Sequence, residues 1–210
     1  MIVYCIREML SIVEGTLIKG LENSLIKDAS QYTQMLRPNM LFFLRSKWKV
    51  DWESIRNCEN CTVVTDVLFE QFNSMEQCNV IKVDDIDTAF WKFINFYRDQ
   101  FTIPVVAITG TCGKTTTVGM IQHILSTNHH VIGTINSANG RTGHMMYLLE
   151  MDESCDVAVL ETAVGMPGDI TYACKFFKPE IGVITNIGLD HLDKCKTVEA
   201  YINAINKFVK

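Results

Sequence analysis

The chain has 210 residues, of which 48% are hydrophobic and 20% are charged, a balance typical of a globular protein with a substantial core. Its net charge is −5 and it carries no basic block, so its charge pattern gives no support for a nucleic-acid partner. No apolar run approaches the roughly 20 residues that span a bilayer, and the N-terminus lacks a signal-peptide layout. We therefore expect a cytoplasmic protein without a membrane partner, folded as one large or two small domains.

The first hundred residues predict a small N-terminal α/β domain. Their apolar patterns predict helices at 4–13, 51–56 and 85–97, and strands at 15–20, 39–44, 61–65 and 79–83. Nothing in this half indicates catalytic chemistry, and we expect Trp48 and Trp52 in the core. Cys58 and Cys61 have the spacing of zinc ligands, but no second pair follows, so reduced thiols are the expected state.

A short connector at 98–104 separates this half from a second domain, 101–210. The second domain alternates regularly between strand and helix patterns, which predicts a mostly parallel sheet covered by helices. The predicted strands are 103–109, 130–135, 156–160 and 181–185, and the predicted helices are 115–126, 143–150, 169–176 and 197–208. Ligands of such sheets bind beyond the carboxyl ends of the strands, so the residues after each strand are the candidate site.

The segment Thr109–Thr117, with the sequence TGTCGKTTT, follows the first of these strands and opens into a helix. Backbone amides in such a turn and the positive end of the helix dipole favour an anion. Lys114 supplies a charge for outer phosphates, and the Thr115 hydroxyl is placed to bind Mg²⁺. Ile108 stands where the general Walker A pattern has glycine, so a glycine-rich turn with an exposed lysine remains the alternative.

Cys112 lies inside the predicted phosphate loop. A helix N-terminus can activate a thiol, whereas a small side chain facing the loop interior is the competing interpretation. Two other strand ends carry polar side chains, Glu161 after one strand and Asn186 with His191 after another. A carboxylate and an imidazole near a triphosphate are candidate metal ligands. A helix cap or a solvated charge would explain each of them singly.

Three segments in order resemble the Mur ligases, the ATP-dependent ligases that build the peptide stem of peptidoglycan. The family's phosphate loop matches Thr109–Thr117, and its glutamate-bearing strand end resembles Val159–Ala163. Its segment with the pattern P-x(6)-N-I-x-x-D-H-L-D matches Pro179–Asp193. The first half of the chain is similar only weakly to the family's UDP-sugar-binding domain.

This resemblance implies a ligase that phosphorylates a substrate carboxylate with ATP and then lets an amine displace the phosphate. It implies ATP and Mg²⁺ as cofactors, and an acidic acyl substrate and an amino acid or amine as partners. Lys114, Glu161 and His191 would be the catalytic residues, and Thr115, Glu161 and His191 would hold metal. The nucleotide would be bound by Gly110, Thr111, Cys112, Gly113, Lys114, Thr115, Thr116, Thr117 and Asn186, with Asn136 a weaker candidate.

Three departures from the family pattern accompany this resemblance. Ile205 stands where many members carry a carbamylated lysine, and Asp28–Gln31 replaces a frequent Asp-Ser-Arg. The sequence also stops at Lys210, before the family's remaining central sheet and C-terminal domain. We expect an N-terminal part of a ligase, with weak Mg²⁺-ATP binding and little ligase activity. The alternatives are a catalytically incomplete nucleotide-binding or interaction module, and an unrelated P-loop kinase or NTPase.

Overall fold

A computed structural model describes residues 1–135, 140–163, 165–188, 195–206 and 208. The chain divides into two units, Met1–Tyr97 and Arg98–Lys210. Within the described ranges, no helix combines the length and the apolar character needed to cross a membrane.

The first unit contains seven short strands and three helices. Five of the strands form a sheet with both parallel and antiparallel pairs. The strands are β1 (Tyr4–Cys5), β2 (Thr16–Lys19), β3 (Leu25–Ile26), β4 (Asp28–Ser30), β5 (Met40–Leu44), β6 (Thr62–Thr65) and β7 (Asn79–Lys82). The helices are α1 (Ile6–Val13), α2 (Trp52–Arg56) and α3 (Ile86–Arg98), with 3₁₀ turns at Thr33–Met35 and Glu70–Ser74. The main sheet has the order β2-β7-β6-β5-β4, in which only the β2–β7 pair is antiparallel.

The predicted helix at 4–13 begins only at Ile6. Tyr4 and Cys5 instead pair with Ile26 and Leu25 in a two-stranded antiparallel ribbon. The backbone of Cys5 is extended, and its N–H donates to the Glu8 carboxylate at 2.6 Å, which starts α1 one residue later. The ribbon strands have two residues each, too few to give an alternating pattern in the sequence.

The second unit is a parallel sheet flanked by helices, which confirms the predicted α/β class. Its strands are β8 (Val105–Thr109), β9 (Val131–Gly133), β10 (Val157–Glu161) and β11 (Ile181–Ile184). Its helices are α4 (Lys114–Leu125), α5 (Arg141–Glu150), α6 (Asp169–Phe177) and α7 (Val198–Asn206). The strand order is β11-β8-β10-β9, and β8 and β10 are buried along their whole length.

The pairing register of this sheet brings the carboxyl ends of three strands together. Glu161 at the end of β10 lies beside Ile108, and Ile184 at the end of β11 lies beside Thr109. Side chains that follow β8, β10 and β11 therefore emerge along one edge of the sheet, where ligands of parallel sheets bind.

Arg98, the first residue of the second unit, is a buried cation that organises backbone carbonyls. Its side chain is 5% exposed. The guanidinium donates to the carbonyl oxygens of Phe177 and Phe101, both at 2.7 Å, and to that of Ile103 at 3.3 Å. A longer ion pair of 3.3 Å to Glu180 completes its contacts. Because arginine stays charged, these carbonyls keep a donor at any ordinary pH.

We expect Arg98→Ala to lower the free energy of unfolding by about 2–4 kcal/mol, because a buried carbonyl that loses its donor costs roughly 1–3 kcal/mol. The matched control is Lys178→Ala, which removes an exposed ion pair to Asp99 in the same unit. The control should cost less than about 1 kcal/mol. Urea unfolding of the two variants checks this, and equal losses would contradict the role given to Arg98.

Gly110 is the residue at which the chain leaves β8. Its φ is +134°, a conformation that residues with a side chain rarely adopt. A Cβ at this position would collide with Thr185 Oγ1 and would lie 2.9 Å from the carbonyl oxygen of Asn186. Both the backbone conformation and the close approach of the segment after β11 therefore require glycine here.

The chain offers an internal control for this glycine. We expect Gly110→Ala to lower the free energy of unfolding by about 2–4 kcal/mol, from backbone strain and overpacking. Gly119 lies in α4 with open space around its Cα, so Gly119→Ala should instead raise it by roughly 0.5–1 kcal/mol. Thermal or urea unfolding gives both values, and a neutral Gly110→Ala would refute the strain argument.

Candidate functional site

The loop between β8 and α4 has the geometry of an anion-binding turn. Gly113 precedes the helix with φ +79°, and no side chain caps the helix. The first amide groups of an α-helix have no acceptor within the helix, so the 12-residue α4 directs several N–H groups toward the loop. Together with the helix dipole, they create a positive potential there.

Lys114 adds a full positive charge to this loop. Its Nζ donates to the carbonyl oxygens of Gly110 at 2.8 Å and of Thr111 at 3.1 Å. The side chain therefore folds back over the loop instead of extending into solvent. A phosphate bound by the loop would lie beside this ammonium group.

Thr115 and Glu161 form the polar centre of the site. The Thr115 hydroxyl, in the first turn of α4, donates to Glu161 Oε2 at 2.8 Å. Glu161 is 3% exposed, and its backbone N–H donates to Thr134 Oγ1 at 2.9 Å. A buried carboxylate is costly unless it has a hydrogen-bonding or charged partner. Hydroxyl and carboxylate oxygens are the ligands that Mg²⁺ prefers, so this pair fits a magnesium ion.

The segment after β11 holds the loop from its other side. Asn186 Oδ1 accepts the N–H of Cys112 at 3.0 Å, and Asn186 Nδ2 donates to the carbonyl oxygen of Cys112 at 3.1 Å. The Thr185 hydroxyl donates to the same carbonyl at 2.7 Å. Asn186 thus contacts the backbone of the loop, and its side chain supports the turn.

Cys112 itself is exposed. Its backbone, held by Asn186, is the part that shapes the loop.

Threonines whose importance the sequence analysis missed fasten the strands beneath the loop. The Thr109 hydroxyl donates to the carbonyl oxygen of Thr162 at 3.0 Å, and the Thr162 hydroxyl donates to that of Ile108 at 3.1 Å. Thr134 Oγ1 accepts the backbone N–H of Glu161 at 2.9 Å, and the Thr185 hydroxyl donates to the carbonyl oxygen of Cys112 at 2.7 Å. The only sequence signal for all four is a threonine at or just after the end of a strand.

The structure brings Lys114, Thr115 and Glu161 to one edge of the sheet, with Asn186 behind the loop. Thr117 belongs to the first turn of α4, where its N–H donates to the carbonyl oxygen of Gly113 at 2.9 Å, and Thr116 is exposed. The predictions for His191 and Asn136 lie outside the described residues. Across the described ranges, no group of three or more His, Cys, Asp or Glu side chains is arranged to hold a metal.

Cys58 and Cys61 lie in the apolar core of the first unit, together with Cys78. The side-chain hydrogen bond with Cys58, and burial, raise the pKa of Cys61 well above its usual value. Burial raises the pKa of Cys78 to about 11. Burial thus favours the neutral thiol at Cys61 and Cys78, whereas the hydrogen bond with Cys61 lowers the pKa of Cys58.

Comparison with known proteins relates this site to one family. The family model described as the Mur ligase middle domain matches residues 108–210. The UDP-N-acetylmuramoyl-tripeptide–D-alanyl-D-alanine ligase of Bacillus subtilis is 30% identical over 207 residues, which are 97% of this chain and 45% of that protein. The ligase of the same name from Synechocystis is 36% identical over 110 residues, which are 52% of this chain and 24% of that protein.

Solved structures share the fold. A crystal structure of MurF from Acinetobacter baumannii superposes with a TM-score of 0.81 and 22% identity, covering 99% of this chain and 46% of that one. The MurF ligase of Thermotoga maritima, solved in complex with ADP, gives a TM-score of 0.68 and 23% identity over 88% of this chain and 43% of that one. The chain thus spans a little under half of these relatives. With the loop, the buried glutamate and the middle-domain match in agreement, the chain belongs to the Mur ligase family.

Proposed function

We propose that this chain carries the ATP-binding part of a Mur-type ligase, which joins a carboxylate to an amine with consumption of ATP. The observation that carries the proposal is the Thr115–Glu161 hydrogen bond of 2.8 Å next to a loop that Lys114 covers. These groups provide a charge for phosphate, amides for its oxygens and two hard oxygen ligands for a divalent cation.

Mg²⁺, when bound, would neutralise negative charge on the transferring phosphoryl group. Thr115 and Glu161 are the described residues that would hold it, and His191 remains a proposed third. Lys114 would bind the outer phosphates, while Asn186 and Thr185 keep the loop backbone fixed. The work of these residues is alignment and charge stabilisation.

In the proposed reaction, a substrate carboxylate oxygen attacks the γ-phosphorus of ATP and ADP leaves. The amine then attacks the acyl carbon, and inorganic phosphate leaves as the amide forms. The relatives' names specify a UDP-N-acetylmuramoyl-tripeptide and D-alanyl-D-alanine, and we propose the same classes of substrate here. The ADP complex of the Thermotoga relative supports the nucleotide assignment. A cytoplasmic location, where ATP is plentiful, belongs to the same proposal.

We further propose that the first unit contributes the binding site for the acyl substrate. It contains a cavity of about 100 Å³, lined by Gln31, Tyr32, Thr33, Gln34, Phe42, Leu44, Arg45, Trp48, Lys49 and Val50. Trp48 is 46% exposed at this cavity, so the expectation that it lies in the core is wrong. Its indole stacks with the ring of Tyr32 at a centroid distance of 5.8 Å. Exposed aromatic faces and two cations suit a nucleotide-linked anion.

Gln31 stands where the family frequently has an arginine, and Arg45 supplies a positive charge beside it. Its Nη1 donates to Gln31 Oε1 at 2.9 Å, and its Nε pairs with Asp87 at 2.7 Å. The guanidinium also lies 5.0 Å from the ring centre of Trp48 and 4.7 Å from that of Phe90. Since these contacts fix the group at the cavity, we propose that Arg45 binds the anionic part of the substrate.

A second candidate function is nucleotide binding without ligase chemistry, and Ile205 favours it. Ile205 is fully buried in an apolar cluster with Ile170, Cys195, Tyr201 and Ala204. An isoleucine at this position cannot provide the negatively charged carbamate that the modified lysine of many family members provides near a metal. Phosphate release that depends on the amine would exclude this candidate, whereas nucleotide binding without any turnover would favour it.

Calorimetric titration of Mg²⁺-ATP into the chain tests the leading proposal. We expect Lys114→Ala to weaken binding at least about tenfold, because a charge-assisted hydrogen bond contributes roughly 1.5–3 kcal/mol. Glu161→Gln keeps the size of the side chain but removes its charge, so it should abolish the increase in affinity that Mg²⁺ produces.

Lys178→Ala is the matched control, since Lys178 pairs with Asp99 in the same unit. It should bind Mg²⁺-ATP like the wild type. Equal binding by wild type, Lys114→Ala and Glu161→Gln would refute the assignment of this site.

For the acyl substrate, we expect Arg45→Gln to weaken binding of the UDP-N-acetylmuramoyl-tripeptide roughly tenfold, through loss of a charged hydrogen bond. Arg7→Gln is the control, because Arg7 forms an exposed ion pair with Glu22 in the same unit. Intrinsic tryptophan fluorescence, to which Trp48 at the cavity contributes, offers a readout of binding. If both variants bind the ligand as the wild type does, the cavity is not the substrate site.

A further inference from the structure

Tyr201 joins the last described helix to the phosphate loop. Its hydroxyl lies 2.9 Å from Thr111 Oγ1, across 90 positions of sequence. Tyr201 is 1% exposed, and its hydrogen bond to Thr111 is partly buried.

Thr111 is the loop residue with bonds on several sides. Its Oγ1 also accepts the N–H of Gly188 at 2.9 Å, and its own N–H donates to the carbonyl oxygen of Asn186 at 3.1 Å. These two bonds come from the backbone after β11, while the Tyr201 bond comes from α7. The position of Thr111 is therefore set by two separate elements of the second unit.

The Tyr201 hydroxyl is held in a fixed place by apolar packing. Its ring belongs to the cluster formed by Ile170 of α6 and Ala204 and Ile205 of α7. A tyrosine side chain has few rotatable bonds, so packing of the ring fixes the position of its hydroxyl oxygen. The hydroxyl is thus a rigid reference point for a loop that contains two glycines.

We infer that Tyr201 is a positioning residue that holds the phosphate loop in its nucleotide-binding shape. The part of the inference that concerns affinity rests on the proposed nucleotide site. Without the bond from Tyr201, Thr111 keeps its contacts to the segment after β11 and the bond from Lys114 Nζ, and the loop gains freedom that binding must remove. Tyr201 itself contacts the loop and has no part in the phosphate chemistry.

The first test is Mg²⁺-ATP affinity of Tyr201→Phe, which deletes one oxygen and keeps the packed ring. We expect the Kd to rise about threefold to tenfold, the range that corresponds to one hydrogen bond. The matched control is Tyr97→Phe in the first unit, where a fully buried hydroxyl accepts the N–H of Ile2 at 3.2 Å. The control should bind the nucleotide as the wild type does.

The second test is hydrogen exchange of the loop, residues 108–115, in the nucleotide-free chain. Exchange there should be faster in Tyr201→Phe and unchanged in Tyr97→Phe. In a Thr111→Val background, which lacks the partner hydroxyl, Tyr201→Phe should have no further effect. Thr111→Ser keeps the hydroxyl, so the effect of Tyr201→Phe should return in that background.

Unchanged affinity and unchanged loop exchange in Tyr201→Phe would overturn the inference. A Tyr201→Phe effect that persists in full in the Thr111→Val background would also overturn it, since the effect would then not pass through this bond. If the wild type binds no nucleotide, the proposed nucleotide site fails. The exchange measurements then decide on their own whether Tyr201 holds the loop.

Discussion

The hydrogen bond between Thr115 and Glu161 depends on the parallel register of β8 and β10. Thr115 belongs to the helix that follows β8, and Glu161 is the last residue of β10. They meet because Glu161 lies beside Ile108 in the pairing, two residues before the loop begins. A register shift of one residue would turn the Glu161 side chain to the other face of the sheet. The geometry of the site therefore depends first on the register of the sheet and only then on the conformation of the loop.

The buried threonines and Arg98 stabilise this arrangement by the same physical means. They satisfy backbone groups near the strand ends, among them the carbonyl of Thr162 and that of Phe177. Buried polar groups without partners are costly, so these side chains permit the strands to end within the protein interior. The ends of β8, β10 and β11 can then carry polar residues into the site without loss of order.

The sequence predicted most of the helices and strands because their apolar patterns are local. The buried run in β8 and the apolar stripe of α3 can both be recognised within a dozen residues. The ribbon of β1 and β3 is too short for such a pattern. Long-range contacts are equally invisible: the bonds from Tyr201 to Thr111 and from Thr185 to Cys112 join segments more than 70 positions apart.

The candidate site shows the same division. Lys114, Thr115 and Glu161 could be predicted because phosphate and magnesium require those chemical groups at strand ends. Asn186 was predicted as a site residue, but its contact with the backbone of Cys112 follows from the close approach of two loops. The exposed position of Trp48 depends on the Tyr32 ring and the Arg45 guanidinium beside it, which hydrophobicity alone does not encode.

The residues that hold the loop on one side follow β11, and β11 is an edge strand of the sheet in the part of the chain that the structure describes. Its first residue, Ile181, is about half exposed, at 51%. Segments with few buried apolar contacts and exposed backbone hydrogen bonds open most readily in local unfolding. A ligand that requires the closed loop would then raise the cost of this opening, so that occupation of the site would make the sheet margin more rigid. Opening of β11 and release of the ligand would then be coupled, because each favours the other.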